Sequence, residues 1–375
     1  MLHSLNSILG ELKFYLGNRY PGFITSSSPQ EMKNNSVAIF MLHTVDRAIF
    51  EAQLRFLRDN CYQVLDAEEL YLFLQRRIQL RGPGVVLTFD DGEHSLYHTA
   101  FPLLKKYGFK AVAFLVPSRI LDSRNTTTQG KQWLTWAEVR EMQASGVVDM
   151  QSHTMHHERI FTSPRVLDFL RPGMLDDDLK LDMPTVGDEQ DGQLQIRELG
   201  MPIYAFGSRM DDDPRYFDSV RRRRACVQHV KNHGGELFFQ RPGWKCELYR
   251  VWEGAETEKG ERYESNFEQR NAIFSSLKAS RTVLEERLQK PVRHVAFPWC
   301  IAGRVARELS WEAGYVTNFL GPLPGVPLAC PEIDPFSIPR LKDDYLFRLP
   351  GKGRHSLASV FAHKLVRRMT KREIY

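Results

Sequence analysis

The chain has 375 residues, a formal net charge of +5 at pH 7 and a charged fraction of 26%. This composition is typical of a globular protein with one large domain or two ordinary ones, and the mild positive charge requires neither an acidic polymer nor an anionic membrane as a partner. The cysteines are odd in number and have no C-x-x-C spacing, which argues against a zinc ribbon or a disulfide framework and favours a reducing compartment; they are Cys61, Cys226, Cys246, Cys300 and Cys330.

The first 17 residues lack the signal-peptide pattern of a basic start, an apolar run and a small-residue cleavage site. No apolar run in the chain approaches the length that is needed to span a bilayer. We therefore expect a cytoplasmic protein. Apolar residues at helical spacing predict an amphipathic helix within residues 1–30, a segment that also contains a Ser-Ser-Ser-Pro linker.

A first buried strand is predicted at residues 36–42 and ends at His43. A second apolar run, at residues 85–89, predicts a buried strand that ends in two adjacent carboxylates, Asp90 and Asp91. Two like charges side by side are costly unless a positive group lies beside them. A divalent metal is the usual solution, because one carboxylate binds the ion while the other acts as a base.

Alternating helices and strands then lead to a histidine pair. Helices are predicted at residues 97–107 and 136–143, and strands at residues 110–116 and 147–150. His153 and His157 follow the last of these strands and are four residues apart, so their imidazoles can lie on one side of a helical turn or tight loop. Two imidazoles and one carboxylate suit zinc, iron, cobalt or nickel.

The phrases T-F-D-D-G at residues 88–92 and H-T-x-x-H at residues 153–157 resemble the first two motifs of the NodB-type polysaccharide deacetylases, carbohydrate esterase family 4. The resemblance implies an α/β fold, a distorted (β/α)7-type barrel, and metal-dependent removal of an acyl group from an amino sugar. It also implies that Asp90 is the base and that Asp91, His153 and His157 bind the metal. Zn²⁺ is the first choice, with Co²⁺, Ni²⁺ and Fe²⁺ as alternatives.

Other site residues follow from the same resemblance. His43, at a strand end, is a candidate for lining the pocket and for the general acid, or else is a structural histidine. Pro298 and Trp299 match a loop that closes over the sugar, and Trp299 would stack on a pyranose. Cys300 stands where the relatives have glycine. Arg340 would pair with Asp90 and orient it, or form a structural ion pair.

The relatives end this catalytic set with a late L-x-x-H motif, of which the chain has no convincing copy. The leaving amine still needs a proton donor. His43, His229 and His233 are therefore the remaining candidates for the general acid.

A long insertion is predicted after the histidine motif. The helix phrase that follows this motif in relatives occurs here only at residues 276–292, so residues 31–162 and 264–350 are predicted to form the barrel and residues 163–263 the insertion. Within the insertion we expect strands at residues 201–207, as a further barrel strand, and at 236–240. Arg221–Arg224 favour a solvated helix face or a contact with an anionic substrate over a nucleic-acid site.

Residues 351–375 predict a basic amphipathic helix that docks on the barrel, with contact to an anionic membrane surface as the alternative. The predicted function is a de-N-acetylase that acts on an amino sugar in a polysaccharide, a glycan precursor, or a lipid- or nucleotide-linked sugar. The expected partner is thus a carbohydrate and not a nucleic acid. The alternatives are a metal hydrolase of another C–N bond, such as a formyl group or a cyclic amide, and a non-catalytic barrel that binds glycan.

Overall fold

The computed structural model describes residues 20–27, 32, 35–123, 133–174, 184, 198–255, 261–322 and 328–369, with the backbone alone for 365–369. The helix predicted near the start of the chain lies outside these residues, apart from one short turn at Gly22–Thr25. The described strands are β1 Val37–Leu42, β2 Gln63–Val64, β3 Gly84–Asp91, β4 Ala111–Leu115, β5 Val148–Ser152, β6 Arg159–Phe169, β7 Pro202–Ser208, β8 Tyr216–Phe217, β9 Arg262–Tyr263, β10 His294–Ala296, β11 Thr317–Leu320, β12 Ile338–Pro339 and β13 Leu341–Lys342.

The helices are α1 Gly22–Thr25, α2 Arg47–Asp59, α3 Ala67–Leu74, α4 Phe101–Tyr107, α5 Trp136–Ala144, α6 Val220–Asn232, α7 Trp244–Gly254, α8 Asn266–Leu288, α9 Arg304–Glu312 and α10 Leu357–Met369. Most of them cover the outside of the main sheet, while α6 and α7 pack in the insertion. Several begin where the sequence supplies a cap. Asp66 and Thr135, for example, form capping boxes with Glu69 and Glu138 at the starts of α3 and α5.

The main sheet is a nearly closed parallel barrel. Its strand order is β12-β11-β10-β5-β4-β3-β1-β13, and β2 adds to the start of β3. The strands β12 and β13 belong to one extended segment on either side of Arg340: Ile338 and Pro339 pair with β11, while Leu341 and Lys342 pair with β1. This segment therefore joins the two edges of the sheet, which confirms the barrel fold.

Alternation along the strands divides the barrel core in two. Along β3, Val85, Leu87 and Phe89 belong to the large apolar cluster that includes the helices, while Val86 packs in a separate cluster with residues such as Phe114. Successive side chains of a strand point to opposite faces, so Thr88 and Asp90 continue the Val86 series into the barrel interior. The same period of two therefore places a carboxylate at the inner mouth of the barrel.

The insertion has its own sheet and core. Strands β6 and β7 pair antiparallel, and their apolar residues pack with Cys226, Val230 and Phe238. The prediction of residues 201–207 as a barrel strand was wrong, because this apolar run is buried by the insertion's helices and not by the barrel. Strand β6 begins at Arg159 and crosses the boundary predicted at 163.

Residues 236–240 do not form the expected strand. They lie in a 3₁₀ segment, Gly235–Gln240, that follows Gly234 in the left-handed region, with φ of 104°. Phe238 alone is fully buried in this segment, whereas Leu237 is 64% exposed. A short apolar run does not specify strand or helix by itself, and here the two glycines favour a helical turn.

A buried ion pair joins the insertion to the barrel. Arg209, directly after β7, donates to both carboxylate oxygens of Glu264 at 2.7 and 2.8 Å, and both side chains are 3% exposed. Asp212 then accepts from the first backbone N–H groups of α9, those of Arg304 at 2.8 Å and Val305 at 3.0 Å. The base of the insertion is therefore held by charge and by helix capping.

Replacing Arg209 with methionine should lower the free energy of unfolding by about 3–5 kcal/mol, because it leaves the Glu264 carboxylate buried without its cation. Urea denaturation measures this change. The matched control is Arg270→Met, which breaks an exposed pair with Glu308 and should have a much smaller effect. Equal effects of the two substitutions would contradict the argument.

The last helix docks on the barrel. On α10, Val360 and Lys364 are each 3% exposed. The Lys364 ammonium lies 3.4 Å from Asp344 Oδ2 and 4.4 Å from the centre of the Tyr345 ring. These contacts agree with the prediction that the basic tail docks on the barrel. Among the described residues, no helix is both long enough and apolar enough to cross a membrane.

Candidate active site

Polar side chains gather at the carboxyl ends of the barrel strands, where barrel enzymes place their sites. Asp90 and Asp91 end β3, and His153 follows β5 directly. Arg340 lies between β12 and β13. All four side chains are buried, each with an exposure of 3% or less. Most of the residues predicted for the site thus come together from three separate parts of the sheet.

Asp91, His153 and His157 form a group with the geometry of a metal site. Their candidate ligand atoms all lie within 4.8 Å of one another, and all three residues are buried. Asp91 Oδ1 is 3.4 Å from His157 Nε2 and 3.7 Å from His153 Nε2. Asp91 and His157 have left-handed backbones, with φ of 71° and 51°. Such strain is frequent where a functional site requires it.

The orientation of His153 is set by a backbone carbonyl. Its Nδ1 lies 2.8 Å from the carbonyl oxygen of Ala296, the last residue of β10. Because that oxygen only accepts, Nδ1 carries the proton and Nε2 presents its lone pair towards Asp91. This is the tautomer that a metal-binding histidine needs.

Arg340 pairs with Asp90 inside the barrel. Arg340 Nη1 donates to Asp90 Oδ1 at 2.7 Å and to Thr88 Oγ1 at 3.3 Å, and the Thr88 hydroxyl donates to the carbonyl of Phe40 at 2.9 Å. Asp90 Oδ2 faces His153 Nε2 at 3.8 Å. One carboxylate oxygen is therefore held by the arginine, and the other is turned towards the metal group.

The charges of the site favour metal binding. Burial alone raises the pKa of Asp90 and Asp91, but the surrounding cations and imidazoles outweigh it, chiefly Arg340 for Asp90 and His157 with Arg119 for Asp91, so both pKa values lie below their ordinary range. Burial lowers the pKa of His153 and His157. Ionised carboxylates and neutral imidazoles are the forms that bind metal ions.

His43 and Trp299 lie at the edge of this group. Burial lowers the pKa of His43, and the nearby charges of Asp90 and Asp91 oppose that effect. The ring centre of Trp299 is 4.2 Å from that of His157. Pro298, the residue before Trp299, is buried. The structure thus brings His43, Pro298 and Trp299 to the predicted pocket.

Cys300 adopts the conformation for which glycine is favoured. Its φ is 62°, and that of Trp299 is 51°, so two successive residues are left-handed. Arg340 Nη2 lies 3.9 Å from the Cys300 sulfur. Burial raises the pKa of Cys300 above its ordinary value, which favours the thiol over the thiolate.

Sequence reasoning missed two arginines of this site. Arg119 Nη1 lies 3.2 Å from Asp91 Oδ1, and its guanidinium packs on the Trp133 ring at 5.0 Å. Arg159 packs on the other aromatic of the rim, Trp299, at 4.2 Å. Arg119 follows β4 by a few residues, so its place after a barrel strand was a usable signal. Arg159 lies near the histidine motif but carried no comparable signal.

The general-acid candidates His229 and His233 belong to another cluster. Their rings stack on each other at 4.0 Å, His229 within α6 and His233 at its carboxyl-terminal cap, and His229 Nε2 lies 2.7 Å from Glu247 Oε1 on α7. These contacts are all within the insertion. The roles assigned to them, and to the residues of the barrel mouth, remain predictions.

A comparison with family models finds a match to part of the chain. The family model described as polysaccharide deacetylase matches residues 78–172, the stretch that contains the Asp pair and the histidine motif. Residues 78–172 are therefore similar to a polysaccharide deacetylase domain. This finding confirms the resemblance seen in the motifs, which the geometry has now placed around one buried group.

Two curated relatives are similar to about a third of the chain. The Bacillus subtilis (strain 168) protein "Putative polysaccharide deacetylase YxkH" is 33% identical over 141 residues, which cover 36% of this chain and 47% of that protein. A Staphylococcus aureus (strain MRSA252) poly-beta-1,6-N-acetyl-D-glucosamine N-deacetylase is 26% identical over 133 residues, which cover 35% and 42%. The match therefore spans less than half the length of these relatives.

Solved deacetylase structures share the fold over most of the chain. A de-N-acetylase from Aggregatibacter actinomycetemcomitans aligns with a TM-score of 0.53 at 17% identity and covers 87% of this chain and 98% of its own. The BpsB deacetylase domain from Bordetella bronchiseptica aligns with a TM-score of 0.53 at 16% identity, covering 83% and 97%. At these identities the likeness shows the barrel fold alone.

Proposed function

We propose that this protein is a metal-dependent deacylase that removes the N-acetyl group from an amino sugar in a glycan. The observation that carries the proposal is the pairing of two carboxylates in one buried pocket. Asp91 lies close to the imidazoles of His153 and His157. Asp90 lies beside this group and accepts a hydrogen bond from Arg340. The names of the curated relatives, which act on polysaccharides, support the choice of substrate class.

The donor set of Asp91, His153 and His157 fits a divalent transition metal. Two imidazole nitrogens and one carboxylate oxygen leave coordination positions for solvent and substrate, and Zn²⁺ is the first choice over Co²⁺, Ni²⁺ or Fe²⁺. When bound, such an ion polarises the acyl carbonyl and lowers the pKa of water.

The chain's own residues supply the proton transfers. Asp90 is ionised, and Arg340 fixes its Oδ1, so Oδ2 is the atom that accepts the proton of the attacking water. His43 lies near the same carboxylates at the end of β1 and is the candidate that returns a proton to the leaving amine. Arg119 holds Asp91 in place by their 3.2 Å contact.

Acetate release tests the proposal. The full chain, loaded with Zn²⁺, is incubated with N-acetylglucosamine oligomers of β-1,6 and of β-1,4 linkage, and acetate and free amine are measured. Release that is lost with a chelator and restored by metal is the expected result. Formate release or opening of a cyclic amide would favour another C–N hydrolase. Sugar binding by the metal-loaded protein without any release would favour a non-catalytic barrel.

Replacing Trp299 with alanine should raise KM for the glycan by about tenfold with a smaller change in kcat, because an aromatic that stacks on a sugar ring contributes roughly 0.5–1.5 kcal/mol beyond its buried area. Steady-state kinetics measure both constants. Trp299→Phe is the control that retains a ring. A loss of bound metal in Trp299→Ala would instead show that the indole serves to hold His157, which it contacts at 4.2 Å.

The cytoplasmic location and the alternative of membrane contact remain predictions. Flotation with anionic liposomes compares the full chain with a chain that lacks residues 354–375. Flotation that is lost with this segment would indicate lipid contact through the basic tail. Absence of flotation in both would favour the helix docked on Tyr345 and Asp344.

A further inference from the structure

We propose that a second divalent transition-metal ion binds to His94, His98 and Glu138, here called the rim cluster. The three residues offer ligand atoms that lie within 4.8 Å of one another. They come from the segment that follows the Asp pair and from the start of α5. This site is separate from the proposed catalytic metal group and uses none of its residues.

The distances in the rim cluster resemble those in the catalytic group. His94 Nε2 and His98 Nε2 lie 3.6 and 3.8 Å from the same oxygen, Glu138 Oε1. The corresponding distances from Asp91 Oδ1 are 3.4 and 3.7 Å. In a tetrahedral zinc site neighbouring N and O ligands are roughly 3.4 Å apart, so a shift of a few tenths of an ångström brings the rim cluster around an ion.

Local structure fixes both halves of the rim cluster. The histidines are four residues apart where a π-helical turn, Leu96–Ala100, leads into α4, and their ring centres are 3.7 Å apart. π-helical turns are rare in proteins, and those that occur are often found at functional sites. Glu138 is held by its capping box: its Oε2 accepts from the Thr135 N–H at 2.9 Å, which leaves Oε1 facing the imidazoles. The carboxylate is thus oriented before any ion arrives.

Partial exposure suits a site that exchanges ions with solvent. The side chains of Glu138 and His94 are 12% and 18% exposed, and that of His98 is 55% exposed. The less exposed pair, His94 and Glu138, forms the inner side of the site, and His98 lies on its solvent side, which leaves coordination positions for water. A bound ion would tie the segment after Asp91 to α5, and so hold the loop that carries the proposed catalytic pair.

A third group of this kind, His229, His233 and Glu247 in the insertion, differs from the rim cluster in the distances between its ligand atoms. In the insertion, His229 Nε2 already lies at hydrogen-bond distance from Glu247 Oε1, 2.7 Å. The nitrogens of the rim cluster, at 3.6 and 3.8 Å, are too far from Glu138 Oε1 for that bond. The insertion group is therefore closed by a direct hydrogen bond, while the wider spacing of the rim cluster leaves room for an ion between its ligands.

Metal stoichiometry of the full chain tests the inference. After dialysis against a chelator, each protein is titrated with Co²⁺ and Zn²⁺ and its bound metal is counted. We expect two equivalents in the unaltered chain and one in His153→Ala/His157→Ala. Adding Glu138→Gln, which keeps the helix cap, should weaken the remaining site at least tenfold. The control is Glu141→Gln, which alters an exposed carboxylate one turn along the same helix, bound to Tyr97 at 2.6 Å, and should change nothing.

A second variant guards against misfolding of the doubly substituted chain. His98→Asn alters an exposed side chain in an otherwise intact protein and should reduce two equivalents of Co²⁺ to one. A single equivalent in the unaltered chain, or a second equivalent that survives His98→Asn and Glu138→Gln, would overturn the inference. A second equivalent lost on His229→Asn instead would place the ion in the insertion and overturn it as well.

Discussion

Replacing Asp90 with asparagine should lower kcat for deacylation by about 10²- to 10⁴-fold, the range that a positioned general base contributes. The amide has the shape of the carboxylate and still accepts from Arg340, but it cannot take a proton from water. The proposed metal ligands Asp91, His153 and His157 are untouched, so the metal should stay bound. Initial rates of acetate release and metal analysis of the same sample measure both expectations.

His153→Ala is the matched comparison for this experiment. It removes a ligand whose tautomer is fixed by the Ala296 carbonyl, so both the metal and the activity should be lost. If Asp90→Asn also loses the metal, Asp90 is a ligand and not the base. Full activity in Asp90→Asn would exclude the proposed proton transfer altogether.

Replacing Arg340 with methionine should lower the free energy of unfolding by about 3–5 kcal/mol and move the acidic limb of the activity profile to higher pH. Arg340 has an exposure of 0% and pairs with a carboxylate that is equally enclosed, so its loss leaves a buried charge alone. The pKa of Asp90 lies below its ordinary value, largely because of Arg340. Asp90 therefore stabilises the fold above that ordinary value, and this stabilisation is lost as pH falls; without Arg340 the pKa rises and the loss begins at higher pH.

Two measurements separate the effects of Arg340. Urea denaturation gives the free energy of unfolding, and kcat/KM as a function of pH gives the acidic limb. The control is Arg348→Met, since Arg348 is also buried but donates to backbone carbonyls, including those of Ile24 and Ser26. It should reduce stability and leave the limb in place. An unchanged limb in Arg340→Met would show that the pair serves the fold alone.

The barrel and the centre of its site could be predicted from the sequence because both depend on local patterns. Apolar runs that end in polar residues mark buried parallel strands, and the ends of such strands meet at one edge. Asp90, Asp91 and His153 follow such runs, so their convergence is a consequence of strand order. The proposed pairing of Arg340 was open in the sequence, and its observed contact with Asp90 depends on how the last segment closes the sheet.

The remainder depended on packing that a sequence pattern does not specify. The run at residues 201–207 is as apolar as a barrel strand, but its partner is β6 and its core is formed by the insertion. The run at 236–240 is too short to have a period. Arginine is ordinarily a surface residue, so the residue type does not mark these two positions of the site. Only the tertiary structure shows that Arg119 contacts Asp91 and that Arg159 contacts Trp299.

The extended segment around Arg340 also orders events during synthesis. A ribosome makes the amino-terminal part first, and domains generally fold as units in that direction. Asp90 is translated some 250 residues before Arg340, the cation with which it pairs in the folded protein. Until residues 338–342 emerge from the ribosome, the incomplete barrel has an unpaired sheet edge. The Asp90 carboxylate inside it also lacks the charge of Arg340. The proposed catalytic pocket is therefore completed only when the last strands join the sheet. A chain stalled earlier would expose an unpaired strand edge, to which strands of other nascent chains could add.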